Sequence, residues 1–441
     1  MKTYKKLIIL IATIFLTNSC KKFVEGVNKN PNSFTDAPGT LIIGHAQLAA
    51  AYNAESSTAR LAGIMTDQFT GSDRQFLSYE NYNFTASNFD DIWSNLYVDG
   101  LAQAKVAKEK AIEEQIPQLE GVSDIFIGYF LAESALLFGD VPASEAIQAP
   151  EIKYPKYDPQ QDVLNTAINY IDQGLQKVQA NKAFNFAFVD NQFNWVKVGN
   201  SLKARYYLAM KDYNNALQAA QLGISSPNED LLIEHEDIAG KKNMFYQFVV
   251  EQRQGYMTVN GSGSFAGQGS TWKRWLMNGR PSGLSSPGDV DRANQLFISG
   301  AELNTNSGAL FAVDSPFPVV NWIETKLIEA EAAERLNAGD GLSAFNEVRD
   351  YLNSQFGGYP HSSSTGNQLI KEILEEKYLA LPGSTVVFQD LRRTNNLIGV
   401  TIKANAAPNI PQRFLYPQEE INSNINFPGL KDLYEPTPIN Q

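Results

Sequence analysis

The sequence predicts a mainly α-helical protein, built of paired helices interrupted by long loop-rich insertions, with little β structure. Three observations carry that expectation. Apolar residues recur at three- and four-residue spacing through most of the chain. Two helix–turn–helix segments each place small residues twelve positions apart, and a glycine-dense stretch separates them. With 441 residues, 43 % hydrophobic and 19 % charged, the chain has material for a large core and is far from disordered composition.

The first nineteen residues read as a secretory leader: basic Lys2, Lys5 and Lys6, an apolar run over residues 7–16, then Thr17-Asn18-Ser19-Cys20. So short a run cannot cross a bilayer as a helix, which takes about 20 residues. A lone cysteine directly after it resembles a bacterial lipobox, in which the thiol is acylated and Cys20 becomes the first mature residue. The other reading is a plain leader with an incidental thiol. Acyl chains would anchor the chain, at roughly 0.8 kcal/mol per buried methylene. No later stretch reads as long and apolar enough to span. Residues 20–38 then form a lipidated tether containing Asn28-Lys29-Asn30-Pro31-Asn32-Ser33, and 39–441 a single helical domain.

Within that domain, residues 40–52 and 90–114 keep helical periodicity. Residues 123–138 open on Ser-Asp and stop at Gly139-Asp140-Val141-Pro142; residues 160–179 form another amphipathic helix. Residues 195–211 and 213–224 read as a hairpin, with Ala204, Tyr207, Ala216 and Ala220 where two helices must approach closely. Residues 323–336 and 342–352 read as a second. Ala204 to Ala216 and Ala332 to Ala344 repeat one tetratricopeptide-like spacing. Residues 367–381 give a further helix, closed by Pro382-Gly383. Between the hairpins, residues 255–308 hold ten of the 31 glycines. Their spacing does not fit a dinucleotide fingerprint. Such a loop either carries recognition or tucks its aromatics into a satellite core.

Composition narrows the function. A net charge of −12 repels phosphate backbones, so nucleic acid is not expected as a partner. One cysteine excludes an intrachain disulfide and any multi-thiolate metal site. His45, His235 and His361 are too scattered for a His-rich centre, so neither a metal nor another cofactor is expected. His235, inside Glu234-His235-Glu236-Asp237, reads as a solvated helix end. No nucleophile elbow is present, and no spacing singles out a carboxylate pair among the 48 acids, so no catalytic residues are expected.

Several motifs together resemble the SusD/RagB family of nutrient-binding lipoproteins, and its SusD-like branch in particular. They are Ile373-Leu374-Glu375-Glu376-Lys377-Tyr378-Leu379-Ala380-Leu381, Phe388-Gln389-Asp390-Leu391-Arg392-Arg393-Thr394, and Ile410-Pro411-Gln412-Arg413-Phe414-Leu415-Tyr416-Pro417, with Asn422, Asn424 and Asn426 after them. Upstream, Asn30-Pro31-Asn32, Phe138-Gly139-Asp140-Val141-Pro142, Asp158 with Gln161, and Leu327-Ile328-Glu329-Ala330-Glu331-Ala332 add to the likeness. The resemblance fades over about 228–320, the variable loop-rich insertion. It implies a SusD-like scaffold of four tetratricopeptide-like helix pairs and a lipid anchor in the outer membrane, facing the exterior. It further implies a partner, a SusC-like TonB-dependent transporter to which captured glycan is delivered. A peptide binder, or a largely structural lid without strong glycan affinity, is the alternative. The charges of the C-terminal motifs read as Arg–carboxylate pairs that lock the last helix to the scaffold, and Tyr416-Pro417 as chain-end docking.

A pyranose ring needs an aromatic face for its C–H patch and planar polar groups for its hydroxyl rim. Two stretches supply both, 65–93 and 253–280. The candidate glycan residues are Trp272, Trp275 and Tyr256 as platforms, with Asp73, Arg74 and Asn260 as polar contacts. Trp93, Trp195 and Trp322 read as core. Trp272 and Trp275, three apart, equally fit one helical face turned against the scaffold.

Overall fold

The computed structural model describes residues 37–178, 193–284, 286–298, 301–403 and 409–441. The expected leader, Cys20 and nearly all of the expected tether lie outside them. From Gly39 onward the chain winds through helix pairs. Helix α1 (Gly39–Glu55) packs on α2 (Gln103–Glu113), which extends a helical run through Asp90–Ser94 and a π-helical stretch, Asn95–Ala102. Helix α3 (Pro117–Phe138) packs on α4 (Gln160–Lys177), and α5 (Trp195–Ala209) on α6 (Tyr213–Gln221). After α7 (Thr271–Asn278), α8 (Trp322–Leu336) pairs with α9 (Gly341–Phe356). Helices α10 (Gly366–Ala380) and α11 (Thr385–Arg393) close the scaffold.

The hairpins form where small residues permit close packing. Ala204, Ala216, Ala220, Ile328 and Ala332 are buried in one cluster that joins α5 and α6 to α8. Side chains cap the new helices: Asn194 accepts from the Lys197 N–H, Asp212 from Asn215 and Asn321 from Glu324. Asn337, left-handed at φ 52°, ends α8.

Two features of α3 differ from expectation. It begins at Pro117, not near Ser123, because proline at the first helical position gives up only an N–H that has no partner there anyway. It is also long and apolar enough to cross a membrane by length and composition, yet its whole apolar window is buried inside the protein. A helix apolar on every side is what a deep core position requires.

Strand structure among the described residues is confined to three antiparallel ribbons. With β1 (Thr70–Gly71), β2 (Leu231–Ile233), β3 (Met257–Thr258), β4 (Phe297–Ile298), β5 (Glu302–Leu303) and β6 (Phe317–Val320), the pairs are β1–β3, β2–β6 and β4–β5.

The charged C-terminal motifs are structural. Glu376, on α10, takes the guanidiniums of Arg280 (2.6 Å), Arg292 (2.7 Å) and Arg349 (3.4 Å). Lys377 meets Asp390 at 2.9 Å, while Arg393 joins Asp390 and the buried Glu331 of α8. The chain end docks through Arg413, which donates to the Phe138 carbonyl, and Tyr416, whose hydroxyl donates to the Asp140 carbonyl at 2.7 Å.

His235 corrects the sequence reading. It is buried in a loop after β2, with Nε2 3.0 Å from the Glu55 carboxylate and Nδ1 3.0 Å from the Lys241 carbonyl. Burial pushes its pKa down, but the hydrogen bond and charge of Glu55 outweigh that and raise it.

Candidate functional site

The outward-facing candidate site begins with the β1–β3 ribbon. Thr70 pairs with Thr258 and Gly71 with Met257; beyond them the Ser72 N–H donates to the Tyr256 carbonyl at 2.8 Å. The Ser72 and Thr258 hydroxyls lie 2.7 Å apart. This short ribbon brings the two sequence stretches together, setting Asp73 and Arg74 beside Tyr256.

Asp73 starts a short helix, Arg74–Glu80, and its carboxylate accepts the Arg74 N–H at 2.8 Å. Arg74 itself sits at φ 47°, a left-handed conformation that costs a non-glycine residue energy. Its guanidinium lies over the Tyr256 ring, 5.6 Å from the centroid, and that of Arg253 lies over the same ring at 5.8 Å. Tyr256 is half-buried, in a T-shaped contact with Phe76 at 6.0 Å.

Asn260 leaves the ribbon with an exposed side chain. Its carbonyl accepts the N–H groups of Gly267 (2.9 Å) and Gly269 (3.1 Å), which folds residues 260–269 into a compact loop. The glycines are needed for that shape. A Cβ on Gly261, at φ 75°, would stand 2.4 Å from the Phe265 carbonyl oxygen and 2.5 Å from that of Gly269.

Loop residues and 401–403 line a cavity of about 70 Å³, whose walls include Asp67, Ser262, Phe265, Thr401 and Lys403. Its charges are paired within the wall. Asp67 accepts the N–H and hydroxyl of Thr271 at 2.9 and 2.6 Å. Lys403 reaches Glu80 at 2.6 Å and Asp67 at 3.4 Å. Burial raises the pKa of Glu80, and the Lys403 ammonium only partly offsets it. A second cavity, of about 90 Å³, is lined by Asn53, Tyr129, Arg205, Glu324 and Thr385 among others; there Arg205 is held by Glu324 and Glu133.

Two predicted platforms are not in this site. Trp272 has no exposed surface: its ring is edge-on to Phe69 and Phe297, and its indole N–H donates to the Leu379 carbonyl at 3.1 Å. Trp275 is 7 % exposed and lies against Tyr378 at 5.0 Å. Their three-residue spacing puts both on the face of α7 that packs on α10, so neither offers a ring to a ligand. Trp93, Trp195 and Trp322 are also buried.

Of the remaining candidates, Asp73, Arg74 and Tyr256 are brought together, and Asn260 stands at the base of the adjoining loop. Arg253 is the residue that sequence reasoning passed over as a contact. Its position three residues before Tyr256 in an exposed segment was the available signal. Among the described residues, no group of three or more His, Cys, Asp or Glu side chains is arranged to hold a metal ion.

A sequence profile of the SusD-like family, described as starch-binding and associating with outer membrane, matches residues 31–261. Among solved structures, a SusD/RagB family protein of Bacteroides thetaiotaomicron superposes with a TM-score of 0.67 at 20 % identity, covering 92 % of this chain and 99 % of its own. A SusD homolog of Bacteroides uniformis gives 0.67 at 18 % identity, covering 92 % and 100 %. A chitin-binding protein gives 0.67 at 19 %, covering 91 % and 99 %. At these identities the structural likenesses establish the fold alone. No curated protein shows significant sequence similarity to the chain.

Proposed function

This chain belongs to the SusD-like family of outer-membrane binding proteins, and from that premise we propose that it captures oligo- or polysaccharide at the cell surface without cleaving it. In this reading Cys20 carries the lipid anchor, and the captured glycan passes to a SusC-like TonB-dependent transporter.

One observation carries the binding site: the β1–β3 ribbon gathers a half-exposed ring, a carboxylate, a guanidinium and, on the adjoining loop, an amide at an outward face. Tyr256 provides the apolar surface for a sugar, while Asp73, Arg74 and Asn260 provide planar partners for hydroxyls. The β1–β3 ribbon and the folded glycine loop hold the backbone of these residues before any ligand arrives, which lowers the ordering cost of binding.

Isothermal titration against a glycan panel tests the reading. Binding that Tyr256→Ala and Asn260→Ala each weaken tenfold or more, with no release of reducing sugar, is expected. Binding of peptides and of no glycan would replace this reading with a peptide carrier. Recovery of Cys20→Ala in the soluble fraction, with the unaltered chain in membranes, tests the anchor.

A further inference from the structure

We propose that the glycan taken at this face is anionic, carrying carboxylate or sulfate groups that Arg74 and Arg253 bind beside Tyr256. The inference rests on the reading of this face as a glycan site and names the class of glycan.

The geometry points this way because two exposed guanidiniums stand beside one half-buried ring. The guanidiniums lie 5.6 and 5.8 Å from the Tyr256 centroid, so one ring brings two cations from separate segments into one neighbourhood. A neutral pyranose on that ring would offer the two guanidiniums only hydroxyls. An anionic substituent on the same sugar accepts charge-assisted, bidentate hydrogen bonds from them.

The cations are also available. Arg253 is exposed and makes no ion pair among the described residues; its Nη1 donates to the Gln252 carbonyl at 3.0 Å. Arg74 meets only Asp73, at 3.7 Å between two exposed side chains, a pairing that solvent screens strongly. At the far end of the glycine loop the Lys273 stem lies against Gly269, and Lys273 too makes no ion pair among the described residues. The acids on these and adjoining elements are Asp73, Glu302, Glu251 (held by Lys242 at 2.6 Å), and the buried Glu80 and Asp67, both met by Lys403. Arg74 is moreover fixed in place by a strained left-handed backbone, a cost that structures tend to carry at functional positions.

The full chain in detergent is titrated with oligogalacturonate, a sulfated carrageenan oligosaccharide and a maltooligosaccharide of equal length. The expected result is at least tenfold tighter binding of one or both anionic oligomers, falling as salt rises. The two anionic arms distinguish carboxylate from sulfate. Arg74→Gln and Arg253→Gln are each expected to weaken anionic binding tenfold or more at an unchanged melting temperature. Equal or tighter binding of the neutral oligomer overturns this inference and leaves the glycan reading standing. Anionic binding that both variants retain also overturns it. Failure of all three oligomers, with no binding across the wider glycan panel, overturns the glycan reading itself.

Discussion

Arg280 and Glu376 meet at 2.6 Å with both side chains wholly removed from solvent. Burial alone would raise the Glu376 carboxyl, but the guanidiniums of Arg280, Arg292 and Arg349 bring it down to about 2. Arginines from three separate segments converge on one carboxylate of α10; Arg280 also holds Asp289 at 2.7 Å, while Arg292 and Arg349 pair with no other acid among the described residues. Glu376→Gln removes the charge and leaves Arg292 and Arg349 without a counter-ion, a change that costs about 3–5 kcal/mol. Denaturant unfolding is expected to show that loss. A midpoint close to that of the unaltered chain would mean that the cluster does not hold α10 in place.

Trp272 is a stability residue. Truncating a buried tryptophan to alanine costs about 3–5 kcal/mol, and Trp272→Ala also leaves the Leu379 carbonyl without its indole donor. Trp272→Phe keeps most of the ring contacts with Phe69 and Phe297 and is expected to cost less. Tyr256→Ala, at a half-buried surface position, is expected to change the melting temperature least of the three. A thermal ranking in any other order contradicts the packing described for α7.

Two buried carboxylates set a pH dependence. Burial raises Asp230, which accepts the Trp322 N–H at 2.6 Å, to about 7. Burial likewise raises Glu375, which accepts from the Ser282 N–H and hydroxyl, to about 7. Both lie above the roughly 4 of an unfolded carboxyl, so the folded chain holds extra protons between those values. Their contribution is fully present below the unfolded pKa and is lost as pH rises through about 7, on the order of a few kcal/mol at most. Melting temperatures are expected to fall between pH 5 and 8, and the Asp230→Asn, Glu375→Gln double variant to fall less steeply. His235, raised in the folded state, acts in the same direction in both proteins, so the difference in slope isolates the carboxylates. Parallel slopes would contradict the assignment.

The scaffold was legible because helices declare themselves locally. Ala204 and Ala216 mark a hairpin from spacing alone, and the Arg–carboxylate pairing of α10 follows from its charge pattern. The site was legible only in part. The β1–β3 ribbon is too short to show a strand period, and Ser72 meets Thr258 across 186 residues of chain. The Trp272–Trp275 spacing announced a helical face but not whether protein or solvent lay opposite it. That depended on α10, whose Leu379 carbonyl, 107 residues downstream, accepts the Trp272 indole N–H. His235 misled for a related reason: acidic neighbours suggested solvent, while its partner Glu55 lies 180 residues away. Properties fixed by one element were readable, and those fixed by the meeting of two distant ones were not.

The α3–α4 crossing gives a case in which two local effects oppose each other and magnitude decides. Gly121 and Gly174 face one another, each so close that a Cβ would stand 2.8 or 2.6 Å from the other's carbonyl oxygen. In an isolated helix Gly121→Ala would be favourable by about 1 kcal/mol. Here the added methyl meets backbone, which cannot rotate aside, as well as the Val178 and Lys177 side chains. Overpacking of this kind costs about 1–3 kcal/mol, so the helix-propensity gain is cancelled or exceeded. Gly121→Ala is expected to be neutral to destabilising, and Gly121→Val, with more volume and lower helix propensity, clearly destabilising by thermal denaturation. An increase in melting temperature for Gly121→Ala would mean that α3 and α4 can separate freely, and that the contact between their backbones is not what holds this pair together.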